Sequence, residues 1–222
     1  MQKRWVLKKE GDSGVVAHLS EVLSIDHNLS NLLAQRGIET YEQAKEFFRP
    51  ELSQLHDPFL MKDMDSAINR IEMAVQRNEK ILIYGDYDVD GTTAVALMYT
   101  FITSFYDNVY FYIPDRYDEG YGVSFKGIDY AASKGVTLII ALDCGIKAVD
   151  KVQYANEKNI DFIIADHHRP DEQLPDAYAV LDPKRPDCNY PYKELSGCGL
   201  GFKIAQAYAQ EHQIGRASCR ER

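Results

Sequence analysis

The chain has 222 residues, a formal net charge of −9 and 45% hydrophobic residues. That is enough apolar material for one large domain or two small ones, and the acidic balance excludes a global basic field that would draw the chain to nucleic acid. An acidic site can still receive a polyanion, because bound cations reverse its local potential.

From Met1 to about Arg77 the pattern is helical. Leu29, Leu32 and Leu33, then Ala44, Phe47 and Phe48, recur at three- and four-residue spacing, broken by Arg36-Gly37 and by Arg49-Pro50. Met64, Ile68, Ile71 and Val75 continue as an amphipathic helix with Asp63 or Asp65 near its start. Residues 1–77 are therefore expected to form a helical N-terminal region packed against the next domain. No polar cluster in it has the look of chemistry.

Over residues 78–195 strands alternate with helices. The strands are expected at 81–84, 109–113, 137–142, 161–165 and 177–181, with helices at 92–106, 125–133 and 147–158. This alternation predicts an α/β fold with a five-stranded parallel sheet, in the order 2-1-3-4-5, covered by helices on both faces. The glycine-rich bend Ser196-Gly-Cys-Gly-Leu-Gly201 opens a last helix to about His212, and residues 196–214 read as the start of a connecting helical segment. Residues 215–222 resemble cloning-vector read-through and are set aside. The four cysteines (Cys144, Cys188, Cys198, Cys219) lack CxxC spacing and no signal peptide precedes them, which reads as reduced thiols in a cytoplasmic protein. The longest apolar runs are too short to span a bilayer, so no membrane partner is expected.

The chemistry is carried by strand ends. The first strand runs into Tyr84-Gly-Asp-Tyr-Asp-Val-Asp-Gly91, where Asp86, Asp88 and Asp90 alternate on a strand-to-helix turn. An EF-hand loop is excluded, because its twelfth position is Leu97 rather than Glu and a strand precedes it. A solvated acidic turn remains open for this motif alone. The third strand ends in Asp143-Cys-Gly145 and the fourth in Asp166-His167-His168. Singly, Asp143 reads as a helix N-cap and His167 as a surface histidine. In a parallel sheet these ends share one edge, where ligands bind. Carboxylates this close repel unless protons or cations neutralise them, and mixed carboxylate and imidazole ligands suit Mn²⁺, Mg²⁺ or Zn²⁺. Such a set can hold two cations and act on a phosphoester.

Together, Gly85-Asp-Tyr-Asp-Val-Asp-Gly91, Ile113-Pro-Asp-Arg-Tyr-Asp-Glu-Gly-Tyr-Gly122, Asp143-Cys-Gly145 and Asp166-His-His168 resemble the successive motifs of the DHH phosphoesterase superfamily. Within it they are similar to the RecJ-type branch of single-strand-specific 5′-to-3′ DNA exonucleases. The resemblance runs from Leu33-Ala-Gln-Arg-Gly-Ile38 to the glycine-rich bend. It implies two divalent cations, Mn²⁺ or Mg²⁺, held by Asp88, Asp90, Asp143 and His167, with Asp143 bridging and Asp86 in the same motif. It implies that His168 faces the substrate phosphate, so His168 and Asp143 are the expected catalytic pair, and that Arg116 belongs to the phosphate-binding surface. An ion pair of Arg116 with Asp118 or Glu119 is the competing reading. Lys184 and Arg185 read either as contacts to backbone phosphates or as a solvated loop. Single-stranded DNA is the implied substrate, with a single-strand-binding protein and a helicase as partners in DNA repair and recombination. The branch also carries a further ligand aspartate and a second domain after the bend. Their absence before residue 214 suggests a catalytic fragment of low activity. The alternatives are a phosphoesterase of the same superfamily acting on small nucleotides or pyrophosphate, and a non-catalytic replication scaffold.

Overall fold

The computed structural model describes residues 4–212, so Cys219 and the segment 215–222 lie outside the described residues. The described chain divides into two compact units, one ending at Leu55 and one beginning at His56.

The first unit contains helices α1 (Ser13–Leu23), α2 (His27–Ala34) and α3 (Tyr41–Phe48). Each starts at a side-chain cap: Asp12, Asp26 and Thr40 accept from backbone N–H groups, and Thr40 with Gln43 completes a capping box. Its small core is Leu19, Leu33, Ile38 and Ala44. The periodic residues Leu29, Leu32, Phe47 and Phe48 are exposed, so the apolar spacing that marks these helices overstates what they bury.

The second unit contains α4 (Met64–Gln76), β1 (Lys80–Gly85), α5 (Val89–Thr103), β2 (Val109–Tyr112), α6 (Phe125–Lys134), β3 (Val136–Leu142), α7 (Val149–Glu157), β4 (Asp161–Ala165), β5 (Ala179–Leu181) and α8 (Gly197–Glu211). All pairings are parallel and the order is β2-β1-β3-β4-β5, as expected, so the strand order reverses between β1 and β3. Because side chains alternate along a strand, the central strands feed two cores. Ile81, Ile83, Leu138, Ile140 and Ile163 pack on the side of α4, α5 and α8. Leu82, Tyr84, Ile139, Phe162 and Ile164 pack on the side of α6 and α7. The near-continuous apolar strands are the signature of a parallel sheet buried on both faces.

Helix α4 buries Met64, Ala67, Ile68, Ile71 and Ala74 in the sheet's own core. The boundary between units therefore falls at Leu55, well before the end of the helical region expected at residue 77. Two buried guanidinium clamps hold this side. Arg70 donates from Nε to Asp161 Oδ2 (2.6 Å) and from an η nitrogen to Glu79 Oε2 (2.7 Å), joining α4 to the starts of β1 and β4. Arg185 donates to Asp63 Oδ2 (2.6 Å) and to both oxygens of Asp187. Removing one partner of a largely buried pair costs on the order of 3 kcal/mol. Arg70→Ala should thus lower Tm by about 5–10 °C in a thermal melt, whereas the exposed-pair control Lys126→Ala should shift it by less than about 2 °C.

Candidate metal centre

Glycine geometry sets up the first strand end. A Cβ on Gly91 would sit 2.6 Å from Asp86 O and 2.7 Å from Asp86 N, so only glycine lets the first turn of α5 press against the end of β1. Asp86 is consequently buried. Its Oδ1 accepts from Tyr87 N (2.7 Å), its Oδ2 has no partner, and burial raises its pKa, with the charge of Asp88 adding to the rise. Asp88 is the N-cap of α5, accepting from Gly91 N (2.9 Å). Asp90 lies inside the first helical turn, because α5 begins at Val89 rather than at residue 92.

Asp143 follows β3 and is 1% exposed. It adopts a left-handed backbone (φ 61°), which a non-glycine residue keeps only when its surroundings hold it there. Its N–H donates to Ala165 O (2.9 Å), tying it to β4. Its Oδ1 lies 3.0 Å from His167 Nε2, yet accepts no aligned hydrogen bond. Burial, then the charges of Asp90, Asp88 and Asp166, raise its pKa to about 7. His167 Nε2 is also 3.8 Å from Asp90 Oδ2. Ligand atoms of Asp143, His167 and His168 all lie within 4.8 Å of one another.

Helix α8 closes the site from above. Its first amides donate to Asp90, Gly197 N to Oδ2 (2.7 Å) and Cys198 N to Oδ1 (2.8 Å). A Cβ on Gly197 would lie 2.4 Å from Asp143 Cβ, which explains the glycine at this point of the bend. Asp90 thus has a task that its motif did not announce: it fastens the positive end of α8 over the acidic cluster.

Asp166, expected at the converging strand ends but given no role there, and Tyr121, not singled out, complete the set. Asp166 Oδ2 accepts from Ile146 N (2.9 Å), while Oδ1 accepts from His168 N (3.1 Å) and faces His168 Nδ1 at 2.7 Å. A carboxylate acceptor there places the proton on Nδ1 and leaves Nε2 facing the Tyr121 hydroxyl at 3.2 Å. The loop carrying Tyr121 is anchored by the buried Tyr84, whose hydroxyl donates to Gly122 O and accepts from Ser124 N. Asp182, after β5, is a further buried carboxylate, with Oδ2 unpartnered and its pKa raised to about 6 by burial and by Asp166.

The outer cations divide. Arg116 is exposed, with its guanidinium carbon 5.3 Å from the centre of the Tyr87 ring. The carboxylates that might have held it are engaged elsewhere: Asp118 pairs with Lys126, and Glu119 accepts from Tyr112 and Ser124. Lys184 Nζ sits 3.3 Å from the exposed Glu194, and Arg185 is a structural clamp rather than a solvated loop residue.

The unpartnered, buried Asp143 Oδ1, 3.0 Å from an imidazole nitrogen and grouped with His167 and His168, fits a hard divalent cation. A doubly wound parallel sheet that gathers such donors at its carboxyl edge defines an α/β domain whose edge suits a divalent cation. The chain belongs to the DHH family: the model for "DHH family, N-terminal domain" matches residues 80–219. It is 42% identical over 208 residues to the single-stranded-DNA-specific exonuclease RecJ of Bacillus subtilis (strain 168), covering 94% of this chain and 26% of that protein. The chain thus spans about a quarter of the length of that curated relative. Among solved structures it is similar to an exonuclease RecJ bound to manganese (TM-score 0.62, 27% identity, 68% of this chain and 38% of that one). It also has the fold of the Thermus thermophilus RecJ in complex with Mn²⁺ (TM-score 0.70, 21% identity, 90% of this chain and 28% of that one).

The raised pKa of Asp143 makes a stability prediction for the chelator-treated protein. An unfolded aspartate titrates near about 4, so the fold favours the protonated form. Its stabilising effect is full below about pH 4 and is lost as pH rises through about 7. Asp143→Asn keeps a residue that tolerates the left-handed backbone and removes the charge. The variant should melt close to wild type at pH 4.5 and at least about 3 °C above it at pH 8. Equal differences at both pH values would show that Asp143 is not held in this way.

Proposed function

We propose that this chain is the catalytic domain of a metal-dependent phosphodiesterase that digests single-stranded DNA from the 5′ end. The observation that carries the proposal is the meeting of three strand ends at Asp143 Oδ1, a buried oxygen without a hydrogen bond 3.0 Å from His167 Nε2. The similarity to single-stranded-DNA-specific exonucleases supports the substrate class.

Asp86, Asp88, Asp90, Asp143 and His167 would hold two cations, Mn²⁺ or Mg²⁺. When bound, such a pair supplies positive charge to the phosphoryl oxygens and to the attacking and leaving oxygens of an in-line displacement. The protein's own groups do the rest. Asp166 fixes the tautomer and aim of His168, so that Nε2 and the Tyr121 hydroxyl form a polar pair at the mouth of the site. His168 and Asp143 are the catalytic residues of this reading. Arg116 offers a planar fork to a phosphate, pre-oriented over Tyr87. Lys184 joins the strand-binding surface only by exchanging Glu194 for a phosphate. Partners suited to this role are a single-strand-binding protein and a helicase in DNA repair, in the cytoplasm. Among the described residues no helix is long and apolar enough to cross a membrane.

The test measures mononucleotide release from 5′-labelled single strands and from blunt duplex, with Mn²⁺ or chelator. Release should be confined to single strands and to the metal-containing reactions. Asp143→Ala should reduce it by more than about 100-fold, beyond the effect of losing an outer-shell partner, while circular dichroism stays unchanged. Near-wild-type release by that variant in Mn²⁺ would overturn the assignment. Asp166→Asn should leave Mn²⁺ binding by calorimetry within about threefold and reduce the rate by about 10–100-fold, because it acts through His168.

A further inference from the structure

Beside the carboxylate–histidine cluster lies an open cavity of about 380 Å³. It shares Asp166 and His168 with the cluster and runs away from them between the Tyr121–Val123 loop and the start of α7. Its floor is apolar, made by Val123, Cys144, Ile146 and Ala148. Its rim carries three cations, Lys147, Lys151 and Arg169. In a chain of net charge −9 this is a local reversal of sign.

We propose that this cavity seats the terminal nucleoside, base and sugar together, of the strand whose phosphate reaches the cluster. The inference rests on the proposed function and names the part of the substrate that this side of the site receives. Three features carry it. The size lies at the lower end of small-molecule sites and suits one nucleoside rather than a stacked pair. The only carboxylate in the lining, Asp166, has both oxygens occupied by Ile146 N–H and by His168, so no free acceptor repels a nucleotide. The rim cations are placed for the phosphate on the open side. Lys147 and Lys151 are held by Asp171 (3.1 Å) and Asp150 (2.9 Å), both exposed, and these pairs exchange readily for a phosphate.

The lining also determines what the cavity ignores. Apart from Tyr121, whose hydroxyl faces His168, it has no hydroxyl or amide side chain to match the edge of one base. Apolar surface accepts any base face, so recognition is sequence-tolerant, as removal of successive nucleotides requires. A duplex end is refused because its terminal base stays paired and stacked, whereas a single strand gives up its last base at little cost.

Ala148, the half-buried member of the floor, gives the test. Calorimetry compares inorganic phosphate, deoxyribose 5-phosphate, dTMP and dAMP on the full chain, with Mn²⁺ titrated separately. In the wild type both nucleotides should bind at least about tenfold tighter than deoxyribose 5-phosphate, and within about threefold of each other, because a buried base adds affinity without base readout. Ala148→Trp fills the cavity and should erase that gap, leaving phosphate affinity and Mn²⁺ binding as in the wild type. The exposed double variant Lys147→Ala/Arg169→Ala, which leaves the floor intact, should weaken all four ligands and keep the gap. It serves as the measurement if Ala148→Trp does not fold. Nucleotides binding no tighter than deoxyribose 5-phosphate, or a gap that survives Ala148→Trp, would overturn the proposal. Absence of Mn²⁺ binding with the gap intact would overturn the metal-dependent reading alone and leave the nucleoside seat standing.

Discussion

Burial of carboxylates at the ends of adjacent strands is the constraint around which this molecule is arranged. The residue immediately after β1, β3, β4 and β5 is an aspartate in each case, Asp86, Asp143, Asp166 and Asp182, and none is more than 1% exposed. Four such groups on one sheet edge oppose one another and oppose burial. The protein answers unevenly. Asp166 receives bonds on both oxygens, Asp86 and Asp182 on one, and Asp143 Oδ1 on none. The unanswered oxygens mark where positive charge is needed, and Asp143 Oδ1 is the one beside an imidazole nitrogen.

The surrounding elements serve that point. Helix α8 brings its amide end onto Asp90 and comes close enough to Asp143 that only glycine fits at residue 197. The two central strands, buried on both faces, supply a rigid edge from which short side chains project. Tyr84, whose ring is buried inside β1, reaches through the sheet's edge to hold the loop bearing Tyr121. Rigidity in the sheet and precision in the loops are thus joined by single side chains rather than by long-range coupling.

Much of this was legible in the sequence, and the reason is periodicity. Five apolar runs with helical intervals fix a parallel sheet, and parallel strands bring their carboxyl ends together whatever the loops do. The motif aspartates and histidines therefore had to converge. What escaped has a common cause: it depends on contacts between segments distant in sequence. Asp166 carries no signal that separates an orienting carboxylate from a ligand. Asp182 follows a short strand and belongs to none of the motifs. Helix α4 has the same pattern as the helices before it, and only its burial in the same core as Ile81 and Ile163 assigns it to the sheet unit. Conversely, Leu29, Leu32, Phe47 and Phe48 carry the helical spacing but remain exposed, because spacing records a face and not what covers it.

The acidic net charge, which at first argues against a nucleic-acid substrate, becomes intelligible from the same arrangement. A phosphate approaching the cluster meets carboxylates, and the nearby cations Lys147, Lys151 and Lys184 are each already engaged by an acid. Attraction for a phosphate at the cluster itself therefore depends on cations reversing the potential there. On the proposed function, seating the reacting phosphate and the chemistry performed on it then share one condition, occupancy of the same oxygen and nitrogen donors. A domain with a basic surface would hold nucleic acid whether or not its centre was charged with metal. On the proposed function this one separates the two: the cavity rim receives the terminal nucleotide, while the field at the reacting phosphate comes from the cluster and falls away within a Debye length of it, about 8 Å at physiological ionic strength.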